Sequence, residues 1–125
     1  MARESVTTDK IAAPVAPFSP AVRAGEFVYL SGQVAQDPTS GRLIEGDVAA
    51  QTELIFKNVE AVLAAARKTF ADVIKASVYL TDMRDFAAMN AVYGRHFEAP
   101  YPARTTVAVA SLPLGAAVEI DIVAR

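Results

Sequence analysis

At 125 residues, with 53% hydrophobic and 21% charged residues, the chain is sized and composed for one globular domain spanning 1–125; a second domain and large-scale disorder are excluded. The formal net charge of -2, with 12 Lys and Arg scattered along the sequence, argues against a nucleic-acid partner, whose phosphates call for a clustered basic surface. The absence of cysteine removes disulfides, thiolate metal sites and a cysteine nucleophile.

Taken in chain order, residues 4–8 read as a short edge strand, and the stretch 12–20 with Pro14, Pro17 and Pro20 as an ordered extended loop. Two strands, 20–24 and 26–34, meet at Ala24-Gly25, and Asp37-Pro38-Thr39-Ser40-Gly41 is a turn. The spacing of Ile55, Val59, Val62, Leu63 and Ala66 predicts a helix over 48–68, capped by Asp47. A strand at 73–80 follows, then a second helix over 83–97 capped by Asp82, with Phe86, Met89, Asn90, Tyr93 and Phe97 on one stripe. Final strands at 103–109 and 117–124 flank Ser111-Leu112-Pro113-Leu114-Gly115. The first residues, Arg3-Glu4-Ser5-Val6 among them, lack the apolar core of a signal peptide, and no apolar run reaches bilayer length; a cytoplasmic location with no membrane partner is the default expectation.

Side chains alternate along strands, so each strand offers two faces. One face is predicted to collect Val28, Leu30, Val34, Ile74, Ala76, Val78, Leu80, Val107, Val109, Val118, Ile120 and Ile122. Two helices covering that apolar surface make a two-layer α+β sandwich. The other face is predicted to collect Phe27, Tyr29, Ser31, Gln33, Lys75, Ser77, Tyr79, Arg104, Thr106, Glu119 and Asp121. Its mixture of aromatic, small polar and oppositely charged groups suits contact with another copy of the chain, which predicts a homo-oligomer.

Arg104 is the sharpest candidate for chemistry. A guanidinium grips a carboxylate through two parallel hydrogen bonds; the alternative is an interface ion pair with Glu119 or Asp121. Glu119, in an otherwise apolar strand, can position or deprotonate a water, or simply face solvent. If the last two strands are antiparallel neighbours, Arg104 and Glu119 fall about 10 Å or more apart, so a shared site calls for neighbouring subunits or a shifted register. Asn90 either satisfies a buried loop backbone or reaches a pocket. His96, the single histidine, is explained by a helix-end dipole interaction. It has no second ligand at metal-binding spacing, and no Gly-x-Ser-x-Gly elbow supports a triad with Ser31. No glycine-rich phosphate loop is present.

Several segments together resemble one family. They are Ala16-Pro17-Phe18-Ser19-Pro20-Ala21-Val22, Tyr29-Leu30-Ser31-Gly32-Gln33, Gly46-Asp47, Ala50-Gln51-Thr52 and Asn58-Val59. Ala64-Ala65, Val78-Tyr79-Leu80-Thr81-Asp82-Met83, Asp85-Phe86, Asn90-Ala91-Val92-Tyr93, Pro102-Ala103-Arg104-Thr105, Leu112-Pro113 and Val118-Glu119-Ile120 complete the set. Spanning roughly 8–124, the chain resembles the reactive-intermediate deaminase (Rid, or YjgF) family.

That resemblance implies a chorismate-mutase-like α+β fold, a mixed sheet under two helices, assembled as a homotrimeric barrel with clefts between subunits. It implies hydrolytic deamination of reactive 2-imino acids such as 2-aminoacrylate and 2-iminobutanoate, without cofactor or metal. Arg104 would bind the substrate carboxylate and Glu119 would orient the attacking water. Ser31, Gly32, Asn90, Phe18 and Thr106 would line the pocket, with a backbone carbonyl near Thr106 stabilising the protonated imine. Three positions depart from the family pattern: Phe18 for a common tyrosine, Thr106 for a common cysteine, and Arg67 for a common glycine. A non-catalytic binding module for 2-keto acids is the first alternative. An endoribonuclease is the second, opposed by the acidic balance and the single histidine.

Overall fold

Asp47 sets the start of the longer helix: its backbone is extended and its carboxylate accepts from the Ala50 amide at 2.9 Å, satisfying one orphan donor of the first turn. In the computed structural model, which describes residues 2–125, α1 runs Val48–Ala65 and buries Ile55, Phe56, Val59, Val62 and Leu63 along one stripe. It stops short of residue 68 because Arg67 turns left-handed at φ 62. The Lys68 amide then returns to the Leu63 carbonyl (2.8 Å) and the Arg67 amide to that of Ala64 (2.9 Å), the paired bonds of a Schellman termination.

The strands are β1 (Glu4–Val6), β2 (Ala21–Ala24), β3 (Phe27–Gln33), β4 (Val73–Leu80), β5 (Ala103–Ala108) and β6 (Val118–Ala124). They form one six-stranded mixed sheet in the order β1-β2-β3-β6-β4-β5. All pairs are antiparallel except β4 with β5, which is parallel. A parallel return needs a crossover, and the second helix supplies it. This helix is shorter than predicted: a 3-10 turn at Met83–Asp85 precedes α2, Phe86–Tyr93. Asp82 caps the 3-10 turn, accepting from the Arg84 amide at 2.9 Å. Beyond Tyr93 the chain tightens into i to i-3 bonds, Arg95 to Val92 and His96 to Tyr93, which ends the helix before 97.

The two helices cover one face of the sheet, as expected for an α+β sandwich. Between the layers Val28, Val78, Leu80, Val118 and Ile120 join Phe56, Val62 and Met89, all fully or nearly fully buried. Each such side chain contributes about 1.5–3 kcal/mol relative to exposure. An aromatic group closes one end: Phe56 meets Phe70, Tyr93 and Phe97 edge-on at 5.7–5.9 Å. His96 belongs here rather than at a helix terminus. It stacks on Phe56 at 4.5 Å and its Nε2 lies 2.9 Å from Glu53 Oε1, while Arg95 reaches the other oxygen of Glu53 at 2.7 Å.

Several face assignments are corrected. A register irregularity between Val73 and Lys75 turns Ile74 outward, 44% exposed, and puts Val73 in the core. A second, between Leu30 and Gln33, brings Gln33 to the helix side, where it is buried opposite Ile120. On β5 the parity is inverted throughout. Thr106 pairs with Val78 and Arg104 with Ala76, both core residues, so Arg104 and Thr106 point to the helix side and Val107 points away. Finally, β5 and β6 are not neighbours, because β4 lies between them.

Candidate functional site

Glu119 is held on the open face of the sheet by its strand: Val118 and Ile120 on either side of it are buried under the helices. Its carboxylate lies over Gly32, and only glycine permits this. A Cβ at residue 32 would stand 2.5 Å from Glu119 Oε2 and 2.9 Å from its carboxyl carbon. The pair opens onto a cavity of about 240 Å³ with Phe18, Gln33, Pro113 and Leu114 in its wall. Partial burial is the larger cause, and the neighbouring Asp121 charge the smaller, of a Glu119 pKa raised above the ordinary glutamate value. Asp121 itself accepts from the Tyr79 hydroxyl at 3.0 Å.

Ser31 plays a supporting part. Its hydroxyl donates to the Ser19 carbonyl at 2.6 Å, and its amide donates to the Pro20 carbonyl at 2.9 Å. These bonds pin the proline-rich loop that carries Phe18, a residue 54% exposed at the cavity. Ser31 thus fixes the wall without lining it.

Arg104 lies elsewhere. From β5 it reaches back beneath α2, its guanidinium 4.7 Å from the Tyr93 ring centre and 5.6 Å from that of Phe86. Among the described residues it has neither an ion pair nor a side-chain hydrogen bond; the four bridges are Arg84–Asp82, Arg95–Glu53, His96–Glu53 and Arg125–Glu26. The interface ion pair with Glu119 or Asp121 considered from sequence is therefore not made within the chain. Three buried polar atoms around this seam also lack partners: Asn90 Oδ1, Tyr93 OH and Thr106 Oγ1. Such atoms are uncommon and call for an explanation. For Asn90, the expected bond between its amide and a buried loop backbone is not made by the carbonyl oxygen. Because β5 ends the sheet order, one row of its backbone N–H and C=O groups is also unpaired.

The predicted residues therefore form two groups. Gly32, Glu119 and Phe18 share the cavity, with Ser31 behind it; Arg104, Asn90 and Thr106 share the seam between α2 and β5. A larger polar hollow of about 560 Å³ at the end of α1, lined by Glu4, Arg23, Arg67 and Lys68, contains none of them. No cluster of three His, Asp or Glu suited to a metal occurs among the described residues, and no helix there is long and apolar enough to cross a membrane. Sequence reasoning missed Tyr93 and Phe86 as neighbours of the arginine. Their shared stripe on α2 was visible, but the inverted parity of β5 hid the link.

Fold and geometry define a two-layer α+β domain carrying two half-sites, one carboxylate-bearing and one guanidinium-bearing. Residues 8–125 match the family model described as endoribonuclease L-PSP, and the chain belongs to that family, the Rid family. It is 44% identical to protein DfrA of Myxococcus xanthus over 99% of this chain and 96% of the relative. It is 40% identical to the 2-iminobutanoate/2-iminopropanoate deaminase of Bos taurus, over 99% and 90% of the two chains. Among solved structures, RidA from the Antarctic bacterium Psychrobacter sp. matches with a TM-score of 0.93 at 43% identity, covering 98% of each chain.

Proposed function

We propose that this protein hydrolyses reactive 2-imino acids to 2-keto acids and ammonia, in clefts formed between copies of the chain in a homotrimer. One observation carries the reading: a half-buried arginine, fixed against aromatic rings, has no anionic partner of its own. A guanidinium in that condition is suited to a ligand carboxylate, which it can hold with two parallel bonds. The family membership and the name of the bovine relative support the substrate class.

In this reading Arg104 of one copy holds the carboxylate, and Glu119 of a neighbour places a water beside the imine carbon. The water oxygen bonds to that carbon while one of its protons passes by way of Glu119 to nitrogen, giving a carbinolamine. The remaining hydroxyl proton then passes the same way as the C–N bond breaks and the C=O forms, releasing ammonia and leaving the 2-keto acid. A free β5 carbonyl near Thr106 accepts from the protonated imine nitrogen. These imines also hydrolyse unaided, so positioning with acid–base help of about 10²–10⁴-fold is sufficient chemistry.

The test generates 2-iminobutanoate in situ with a threonine dehydratase and follows 2-ketobutyrate. Wild type should accelerate its appearance and Arg104→Ala should not. Binding of 2-ketobutyrate without acceleration would replace the deaminase by a keto-acid binding module.

A further inference from the structure

A buried or half-buried cation can be held in place in two ways. A carboxylate neutralises its charge and occupies its N–H groups. An aromatic ring attracts it electrostatically through the π face and leaves both free. The five N–H donors of a guanidinium all lie in its plane, so rings above or below that plane do not compete with a ligand approaching its edge. Arg104 is held in the second way, by Phe86 and Tyr93.

The two rings stand at the first and last positions of α2, seven residues apart, which is about two turns and hence one helix face. Tyr93 is itself locked, 5.8 Å edge-on to Phe56 and 4.8 Å from Phe97. Phe86 is different. It is only half-buried and makes none of the aromatic pairings of the Phe56 group. Core packing therefore accounts for Tyr93 but does not by itself require an aromatic residue at position 86. The Tyr93 hydroxyl has no hydrogen-bond partner among the described residues, so its contact with the guanidinium is through the ring.

We propose that Phe86 and Tyr93 are positioning residues that hold the Arg104 guanidinium over their π faces, keeping it in place for a substrate carboxylate while leaving its charge and donors unspent. This rests on the carboxylate-anchoring role of Arg104 proposed above. Removing a ring should loosen the anchor rather than disturb the water at Glu119, so the loss should fall mainly on KM.

Phe86→Leu and Tyr93→Leu keep apolar volume and remove the π face. Each should raise KM for the imine, and Kd for 2-ketobutyrate measured by calorimetry, about 3- to 30-fold, the range expected of a partly desolvated cation–π contact, with kcat changed far less. Tyr93→Phe should recover most of what Tyr93→Leu loses. In an Arg104→Ala background Phe86→Leu should weaken binding no further, because the two changes remove one interaction. Tyr93→Leu cuts into the core, so Phe86→Leu decides the matter if that variant fails to fold. Phe86→Leu with wild-type KM and Kd, alongside an Arg104→Ala variant that has lost both, would overturn the positioning role and leave the anchor standing. Unchanged binding and turnover in Arg104→Ala would overturn the anchor itself.

Discussion

Arg104 and Glu119 stand on opposite faces of one sheet with β4 between their strands. Arg104 shares a row with Ala76 and Ile122, whereas Glu119 shares one with Tyr79 and Val107, three residues further along. At about 3.3 Å per residue and about 4.8 Å per strand the two positions are roughly 14 Å apart before the change of face is counted. No side-chain rotation within one chain brings them to a common ligand. If both serve one reaction, they come from different copies.

That requirement predicts complementation between inactive variants. Arg104→Ala retains Glu119, and Glu119→Gln retains Arg104. Mixed and refolded together into mixed oligomers, they should assemble some clefts with both residues intact. Random assembly of equal amounts places a competent pair at about a quarter of the clefts, so recovery on that order of wild-type turnover is expected. A mixture as inactive as its components would mean that each cleft draws both residues from one chain.

Gly32→Ala should damage the water-positioning half alone. The new methyl group would overlap the Glu119 carboxylate, 2.5 Å from Oε2, and the side chain would have to swing away. Displacement of a catalytic group by about 1 Å can cost on the order of 100-fold in rate. A fall of that order in kcat is expected, with the affinity for 2-ketobutyrate, anchored at Arg104, reduced much less. Steady-state kinetics and calorimetry on the same preparation separate the two effects.

The acid limb of the rate profile should belong to Glu119. To accept from water the carboxylate must be ionised, and burial first, then Asp121, raises its pKa. As pH falls through that raised value the group is protonated and kcat is lost, so the limb should lie above the ordinary glutamate pKa of about 4.3. Asp121→Asn removes the smaller cause and keeps an oxygen for the Tyr79 hydroxyl. It should move the limb toward lower pH without abolishing it. A limb unmoved by Asp121→Asn and absent from the residual activity of no Glu119 variant would assign it to another group.

The order of elements was legible because it rests on local signals: Asp47 caps α1, the prolines of 12–20 exclude regular structure, and the apolar alternation of 118–124 marks a buried strand. The β5 face was not legible. An edge strand has one unpaired side and little burial to fix its alternation, and Arg104-Thr105-Thr106-Val107 fits either parity. Only its non-local pairing with β4 decides that Thr106, not Val107, meets the core. The irregularities at Ile74 and Gln33 were hidden for the same reason, since one extra residue inverts the faces and leaves no mark in composition. The site inherited that error: Arg104 and Glu119 were both recognisable as chemistry, but appeared to share a face that they do not share.

Arg67 offers a test of stability independent of the site. It occupies the left-handed position of the Schellman turn after α1, at φ 62, where a residue with a Cβ is strained by about 1–2 kcal/mol relative to glycine. Both turn bonds are donated by backbone amides, from Arg67 to Ala64 and from Lys68 to Leu63, so neither depends on the Arg67 side chain. Its exposed guanidinium makes no ion pair among the described residues. Arg67→Gly relieves the strain and keeps the turn, while the greater freedom of glycine in the unfolded chain offsets part of the gain by about 0.4–1 kcal/mol. A net stabilisation of between about 0 and about 1.6 kcal/mol is expected, read as a higher urea midpoint at unchanged m-value, with KM and kcat as in the parent. A lower midpoint would show that the arginine side chain contributes more to the end of α1 than its left-handed backbone takes away.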